Sequence, residues 1–316
     1  MPKVSVAMWT YNHERFIAQA IESVLMQQTD FPIELVVGED CSTDSTRNVV
    51  AHYARLHPGI VRPLFQSRNL GPALNSSAVL AKCHGEYVAC LDGDDYWTDP
   101  LKLARQVALL DQHQESSASY HRISIVGVDG TPQGRYPTWD KLLPLQVPDV
   151  LEEIGAHTAS LIYRRKLLSA MPAWAAGLEM GDWPLVLTLA TLGPIMPVEG
   201  ELAAYRVHGG GVWSGAPGLR RQEAMEEFYV RVLAEFPLRQ VESLLPLRKA
   251  NLFALFRSAD GRNDRKAARR WLWNYWLSRP SPFRLPPCQL RAVVRCLLPL
   301  MRQSDQCQPT ASPKAS

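Results

Sequence analysis

No run of about 18 apolar residues occurs in the 316-residue chain, so the sequence predicts no membrane-spanning helix. The start, MPKVSVAMWTYNHERF, lacks the basic end and the roughly 7–15-residue apolar stretch of a secretory signal. The six cysteines (Cys41, Cys83, Cys90, Cys288, Cys296 and Cys307) include no CxxC pair. They read as reduced thiols of a cytoplasmic protein, because a chain of this length can bury a core without disulfide staples. Also absent are a GxGxxG after a strand, a GxxxxGK[ST] loop, a GxSxG elbow and an HExxH helix. Those absences exclude the common dinucleotide, P-loop, serine-hydrolase and zinc-protease readings.

What is present is an ordinary globular composition, 46% hydrophobic and 21% charged, which excludes disorder as a description of the whole. The charge is unevenly placed. Residues 1–216 hold 16 Lys/Arg against 23 Asp/Glu, a balance of −7, whereas residues 217–316 hold 18 against 8, a balance of +10. The expected organisation is a catalytic domain over 1–216, a helical basic region over 217–302 and a disordered polar tail over 303–316.

Apolar strands at 3–8, 33–38, 60–65 and 86–91 alternate with amphipathic stretches at 14–28, 44–56, 72–83 and 100–113. This pattern predicts βαβ units and a mostly parallel sheet flanked by helices. Further strands are expected at 119–126 and from Thr158, with a Gly/Pro-rich loop at 128–139 and a helix over 181–193. Ligands of such sheets bind at the carboxyl ends of the strands. Polar clusters fall there: Thr10-Tyr11-Asn12, Glu39-Asp40, Arg68-Asn69 and Asp92-Gly93-Asp94-Asp95. The last places three carboxylates in four residues after the strand EYVACL. Their mutual repulsion is relieved by a divalent cation, and oxygen ligands with room for water and phosphate suit Mg²⁺ or Mn²⁺. Gly93 lets the backbone approach a ligand. The competing reading is a solvated acidic turn before a helix.

Taken in order, VSVAMWTYNHERFIAQAIESVLMQQ, ELVVGEDCSTDSTRNVV, NLGPALN and GEYVACLDGDDYWTDPLKLARQ resemble glycosyltransferase family 2. The resemblance is close over 3–115 and thinner to about Gly215. It implies a GT-A fold and transfer of a sugar from a nucleoside-diphosphate donor, UDP- or dTDP-linked by preference. It further implies that Thr10, Tyr11 and Asn12 line the nucleotide and that Asp40 bonds the nucleobase. Glu39 stands where many relatives have Asp. Asn69 and Asn75 would approach the nucleotide, with Asp92 and Gly93 beside it. Asp94 would hold the metal with Asp92, and Asp95 would serve the acceptor side or cap the next helix.

From the residues alone Asp182, in GDW, reads as a helix cap; the resemblance instead matches it to the family's general base, with Glu179 as its rival. His208, in YRVHGGGVWS, either completes the metal shell or bonds backbone in its loop. Arg206 either neutralises diphosphate or anchors that loop. The glycines 209–211 suit a lid, with Trp213 as an apolar platform, and His157 reads as structural. The resemblance places the enzyme in bacterial surface polysaccharide or glycolipid synthesis, with a glycan or lipid-linked acceptor. A sugar nucleotidyltransferase would need a phosphate loop that WTYNHERF lacks, while a nucleotide-sugar-binding protein without turnover would carry the same binding motifs.

Between Gly261 and Arg302 there are ten Lys/Arg and one acidic residue, interleaved with Trp271, Trp273, Trp276 and Phe283. This region reads either as a surface for an anionic membrane or as helices packed on the body with a solvated basic face; no motif supports nucleic acid.

Overall fold

The computed structural model describes residues 1–210 and 215–278. Gly211, Trp213, Phe283, the apolar 291–301 segment and the tail expected at 303–316 lie outside the described residues. Of the cysteines, Cys41, Cys83 and Cys90 are described, and they are free thiols.

The chain opens with β1 (Val4–Thr10), α1 (Ile17–Leu25), β2 (Ile33–Glu39), α2 (Thr46–Leu56), β3 (Val61–Phe65), α3 (Pro72–Leu80) and β4 (Tyr87–Asp92). Then come β5 (Tyr96–Trp97), α4 (Lys102–Gln112), β6 (Ala118–Val126), β7 (Pro132–Tyr136), α5 (Val147–Glu152) and β8 (Ile162–Arg164). Next are α6 (Asp182–Leu192), β9 (Ile195–Arg206), α7 (Gly218–Glu235), α8 (Leu238–Val241), α9 (Leu244–Gly261) and α10 (Arg265–Leu277). Among the described residues the strands form one sheet in the order β3-β2-β1-β4-β8-β6-β9-β5, with β7 beside β6. The first four are parallel, β6 and β9 pair in parallel, and β8, β5 and β7 run antiparallel to their neighbours. This mixed α/β sheet flanked by helices is of the GT-A type.

Burial explains the early elements. β1 is apolar on both faces, as a strand covered by helices must be. Ile17, Ala20, Ile21 and Val24 form one face of α1 and are fully buried, each large aliphatic contributing roughly 1.5–3 kcal/mol. That helix starts three residues later than the pattern predicts. Glu14 is held out of it, since its N–H donates to Asp44 and its carboxylate accepts the Ser45 N–H. Gly38 has no room for a side chain: a Cβ there would meet Val79 of α3 at 2.3 Å, so the glycine sets how closely α3 packs on β2.

Three expectations are corrected. The segment from Thr158 begins as a 3₁₀ turn over Thr158–Ser160, because the His157 ring accepts the Ala159 N–H; β8 starts only at Ile162. The 128–139 loop contains β7, paired with the end of β6. Tyr205 and Arg206 are not loop but the end of the twelve-residue β9.

The chain divides into two compact units, Met1–Pro217 with Glu227–Ser243, and Gly218–Glu226 with the described residues from Leu244. The helix α7 begins in the second and ends in the first, so the chain does not part cleanly at residue 216. In the second unit, Leu252, Leu255, Phe256 and Ala259 of α9 pack on Ala268, Trp271, Leu272 and Tyr275 of α10. Among the described residues no helix is long and apolar enough to cross a membrane.

Candidate active site

Strand register assembles the site. Thr10 lies opposite Glu39 and Trp9 opposite Asp92, so the polar ends of β1, β2 and β4 share one edge. On the far side, β5 pairs with β9, Tyr96 opposite Ala204 and Trp97 opposite Ala203. That pairing carries residues 206–208 to the carboxylate turn, more than a hundred positions away in sequence.

Asp94 is the centre of this meeting. Its Oδ2 is 2.9 Å from His208 Nε2 and 3.5 Å from His13 Nε2. Burial opposes its ionisation, but the His208 hydrogen bond and the charges of His13 and His208 hold its carboxyl below the usual carboxylate range. Asp92 is different. It accepts from Trp9 Nε1 and from Thr158, yet burial, then the Asp94 charge and that of Asp182, push it up to about 8. Asp95 does not cap α4, whose cap is Leu101. Asp95 is 1% exposed, its Oδ1 accepts the Arg206 N–H at 2.9 Å, and burial with the charges of Asp94 and Asp92 pushes its carboxyl well above the usual range.

Arg206 is an anchor. Its guanidinium donates to the carbonyls of Asp94 and Val128 and to Gln19, and it lies over the rings of Phe16 and Tyr96. Gly93 is required by contact: a Cβ there would stand 2.6 Å from Thr10 Oγ1 and 3.1 Å from His13 Nδ1. Both of those atoms are buried with no hydrogen-bond partner among the described residues. Burial lowers the His13 pKa. Sequence reasoning passed over His13; the available signal was its position directly after the Thr10–Asn12 cluster.

Asp182 is the first residue of α6 rather than its cap, which is Gly181, and its carboxylate accepts the Trp183 N–H at 2.9 Å. Its charge acts on Asp92 and on His157, whose ring packs against Tyr205 at 4.5 Å and stands 4.0 Å from Asp95. Asp182 is therefore electrostatically coupled to the carboxylate turn across ninety residues of sequence.

The nucleotide-lining candidates divide. Tyr11 and Asn12, with Phe16, His208 and Gly209, line a cleft of about 420 Å³. Asn12 takes a left-handed backbone (φ 56°) and accepts the Thr43 N–H, joining the loops after β1 and β2. Asp40 accepts the N–H groups of Leu70 and Gly71, and burial raises its pKa in spite of both bonds. Each carboxylate oxygen keeps a lone pair for a further donor. Asn69 accepts from Gly71 in the same loop. Glu39 and Asn75 have internal partners instead: Glu39 bonds Ser42 N–H and Arg47, while the buried Asn75 bonds Gly38 and Gln66.

Among the described residues no three His, Cys, Asp or Glu form a ready metal cage. Mg²⁺ and Mn²⁺ do not need one, since they take one or two protein carboxylates and complete the shell with water and phosphate. An ionised Asp94 flanked by two imidazole nitrogens, beside an unpartnered Thr10 hydroxyl, fits that requirement.

The Glycosyl transferase family 2 model matches residues 5–170. The protein Rv1520 of Mycobacterium tuberculosis is 34% identical over 222 residues, 69% of this chain and 63% of its own length, so the chain spans less than two thirds of that relative. Among solved structures, Staphylococcus aureus TarS (residues 1–349, with UDP-GlcNAc) matches with a TM-score of 0.65 at 22% identity, over 88% of this chain and 82% of that one. The mannosyltransferase PcManGT of Pyrobaculum calidifontis, with GDP-Man and Mn²⁺, matches at 0.57 and 20% identity, over 96% of this chain and 83% of that one.

Proposed function

The chain belongs to glycosyltransferase family 2, and on that footing we propose that it moves a sugar from a nucleoside-diphosphate donor to an acceptor hydroxyl with inversion at the anomeric carbon. The observation that carries this reading is the meeting of Asp94, His208 and His13 at the end of β4, within the electrostatic reach of Asp182. Asp94, with His208 and with Asp92 beside it, is assigned to hold Mg²⁺ or Mn²⁺. A bound cation supplies the positive charge that balances the departing diphosphate.

Asp40 accepts the nucleobase N–H at the strand edge, and Thr10, Tyr11, Asn12 and Asn69 flank the nucleotide. Asp182 takes the proton of the acceptor hydroxyl as its oxygen bonds to the anomeric carbon and the bond to the diphosphate oxygen breaks. The pyrimidine preference, UDP or dTDP, rests on Asp40 as an acceptor and on the UDP-GlcNAc bound by the TarS structure. TarS carries the name poly(ribitol-phosphate) β-N-acetylglucosaminyltransferase, which supports a glycan or lipid-linked acceptor of the cell surface, reached from the cytoplasmic face of the membrane.

The test is nucleotide binding by calorimetry with Mn²⁺ or EDTA, followed by donor hydrolysis across a panel of nucleotide sugars. Asp94→Asn should abolish the Mn²⁺-dependent part of UDP affinity and leave the melting temperature close to wild type. Equal affinity in Mn²⁺ and EDTA for the wild type would remove the metal from the reading. Tight binding without any turnover would reduce the protein to a nucleotide-sugar binder.

A further inference from the structure

The helix α10 has two opposed faces. Ala268, Trp271, Leu272 and Tyr275 are buried against α9. At 3.6 residues per turn, Lys266, Arg269, Arg270, Trp273, Trp276 and Leu277 fall on the other side. Trp273, Trp276 and Leu277 are 61%, 52% and 64% exposed, and Lys266 and Arg270 are exposed as well. The face is graded along the helix axis, basic in its first half and aromatic-aliphatic in its last. Asp264 is spent on capping the helix, where it accepts the Ala267 N–H at 3.0 Å, and no acidic residue follows it in the sequence until Asp305.

We infer that this face of α10 docks on an anionic lipid bilayer. Two indoles and a leucine exposed on one stripe form an apolar patch with no partner among the described residues. Indole suits the boundary between headgroups and acyl chains, being apolar in body and polar at its N–H. The neighbouring Lys and Arg side chains meet lipid phosphates, and their long stems let the charges sit at the headgroups while the indoles enter more deeply. A nucleic-acid backbone would use the cations but leave Leu277 and the indole edges in water. An acidic protein groove would satisfy both halves only with a matching gradient of its own. The inference names a surface for the membrane setting proposed above. Its test reads lipid binding rather than sugar transfer, so the two readings fail separately.

The experiment is flotation of the full chain with phosphatidylcholine vesicles, with and without phosphatidylglycerol, at low and high salt. The wild type should float with the anionic vesicles, be released by salt as screening shortens the attraction, and show a blue shift of its tryptophan emission when bound. The double variants Lys266→Glu/Arg270→Glu and Trp273→Ser/Trp276→Ser should each lower partitioning by about tenfold or more, with melting temperatures unchanged. Wild-type flotation in both variants would overturn the inference and move lipid binding to residues 279–316. Equal recovery with neutral and anionic vesicles would overturn it too. So would a fall of several degrees in the melting temperature of both variants without lipid, because the face would then be covered by protein. Preference for duplex DNA over anionic vesicles would replace the bilayer with nucleic acid.

Discussion

Replacing Arg206 with methionine separates two roles that the sequence leaves open for this residue. Methionine keeps most of the stem's reach and removes the fork. Arg206 is 5% exposed, and its guanidinium donates at 3.0 Å to the Asp94 carbonyl, at 3.2 Å to the Val128 carbonyl and at 2.7 Å to Gln19 Oε1. A buried acceptor deprived of its donor costs roughly 1–3 kcal/mol. Only the Asp94 carbonyl loses its donor in a largely buried setting, since Gln19 and Val128 are exposed residues whose oxygens water can reach, so the expected net cost is about 1–2 kcal/mol. The loss is deepened because Arg206 is the cation that opposes the raised pKa of Asp95. For a unit of this size about 1–2 kcal/mol corresponds to a fall of roughly 2–8 °C in melting temperature. Arg206→Lys should recover little of it, since one ammonium cannot reproduce a planar fork aimed at three acceptors. The assay is thermal and urea unfolding without nucleotide, alongside UDP affinity in Mn²⁺ measured well below the transition. A diphosphate ligand would behave oppositely, losing donor affinity while leaving the apo protein as stable as before. Wild-type stability in Arg206→Met, with weakened donor binding, would refute the anchoring role.

Two further perturbations test other parts of the structure. Asp182→Asn should lower the transfer rate by about 10²–10⁴ with near-normal nucleotide affinity; if it retains most of its rate while Glu179→Gln loses it, the base is Glu179. Lys102 is fully buried, its ammonium bonding Gln106 and lying 4.1 Å over the Trp97 ring, and burial lowers its pKa to about 7. An unfolded lysine titrates near 10.4, so between about pH 7 and 10 the unfolded chain binds the extra proton and stability rises with pH, by up to about 1.4 kcal/mol per unit. The penalty is complete below pH 7 and relieved as pH rises. Lys102→Met should flatten this slope in denaturant midpoints taken between about pH 7.5 and 9.5, and parallel curves for the two proteins would refute it.

Periodicity and composition alone determined the first half of the fold. β1, β2 and β4 are short apolar runs buried along nearly their whole length, and α1 carries one apolar face, so local patterning and burial say the same thing. The carboxylate turn was legible for the same reason, as a dense polar cluster ending an apolar strand. β9 was not. Its twelve residues, IMPVEGELAAYR, contain a proline and a Glu-Gly-Glu step, alternate poorly between buried and exposed, and pair with β6 through shifts in register, so only the neighbouring strand makes them a strand. Helix boundaries failed where groups from another loop intervened, as the Asp44 carboxylate and the Ser45 N–H do at Glu14.

Residue type could nominate Asp94 and His208, but not their meeting, which depends on the antiparallel pairing of β5 with β9. The same is true of roles. Arg206 has the chemistry of a ligand, and its guanidinium is held instead by the carbonyls of Asp94 and Val128 and by Gln19. His13 carried no reading of its own in the sequence, and the backbone after β1 sets its ring against Asp94. Charge and periodicity are local properties and survive in one dimension. The neighbour that decides whether a carboxylate binds, catalyses or only holds two loops together is supplied by the tertiary fold.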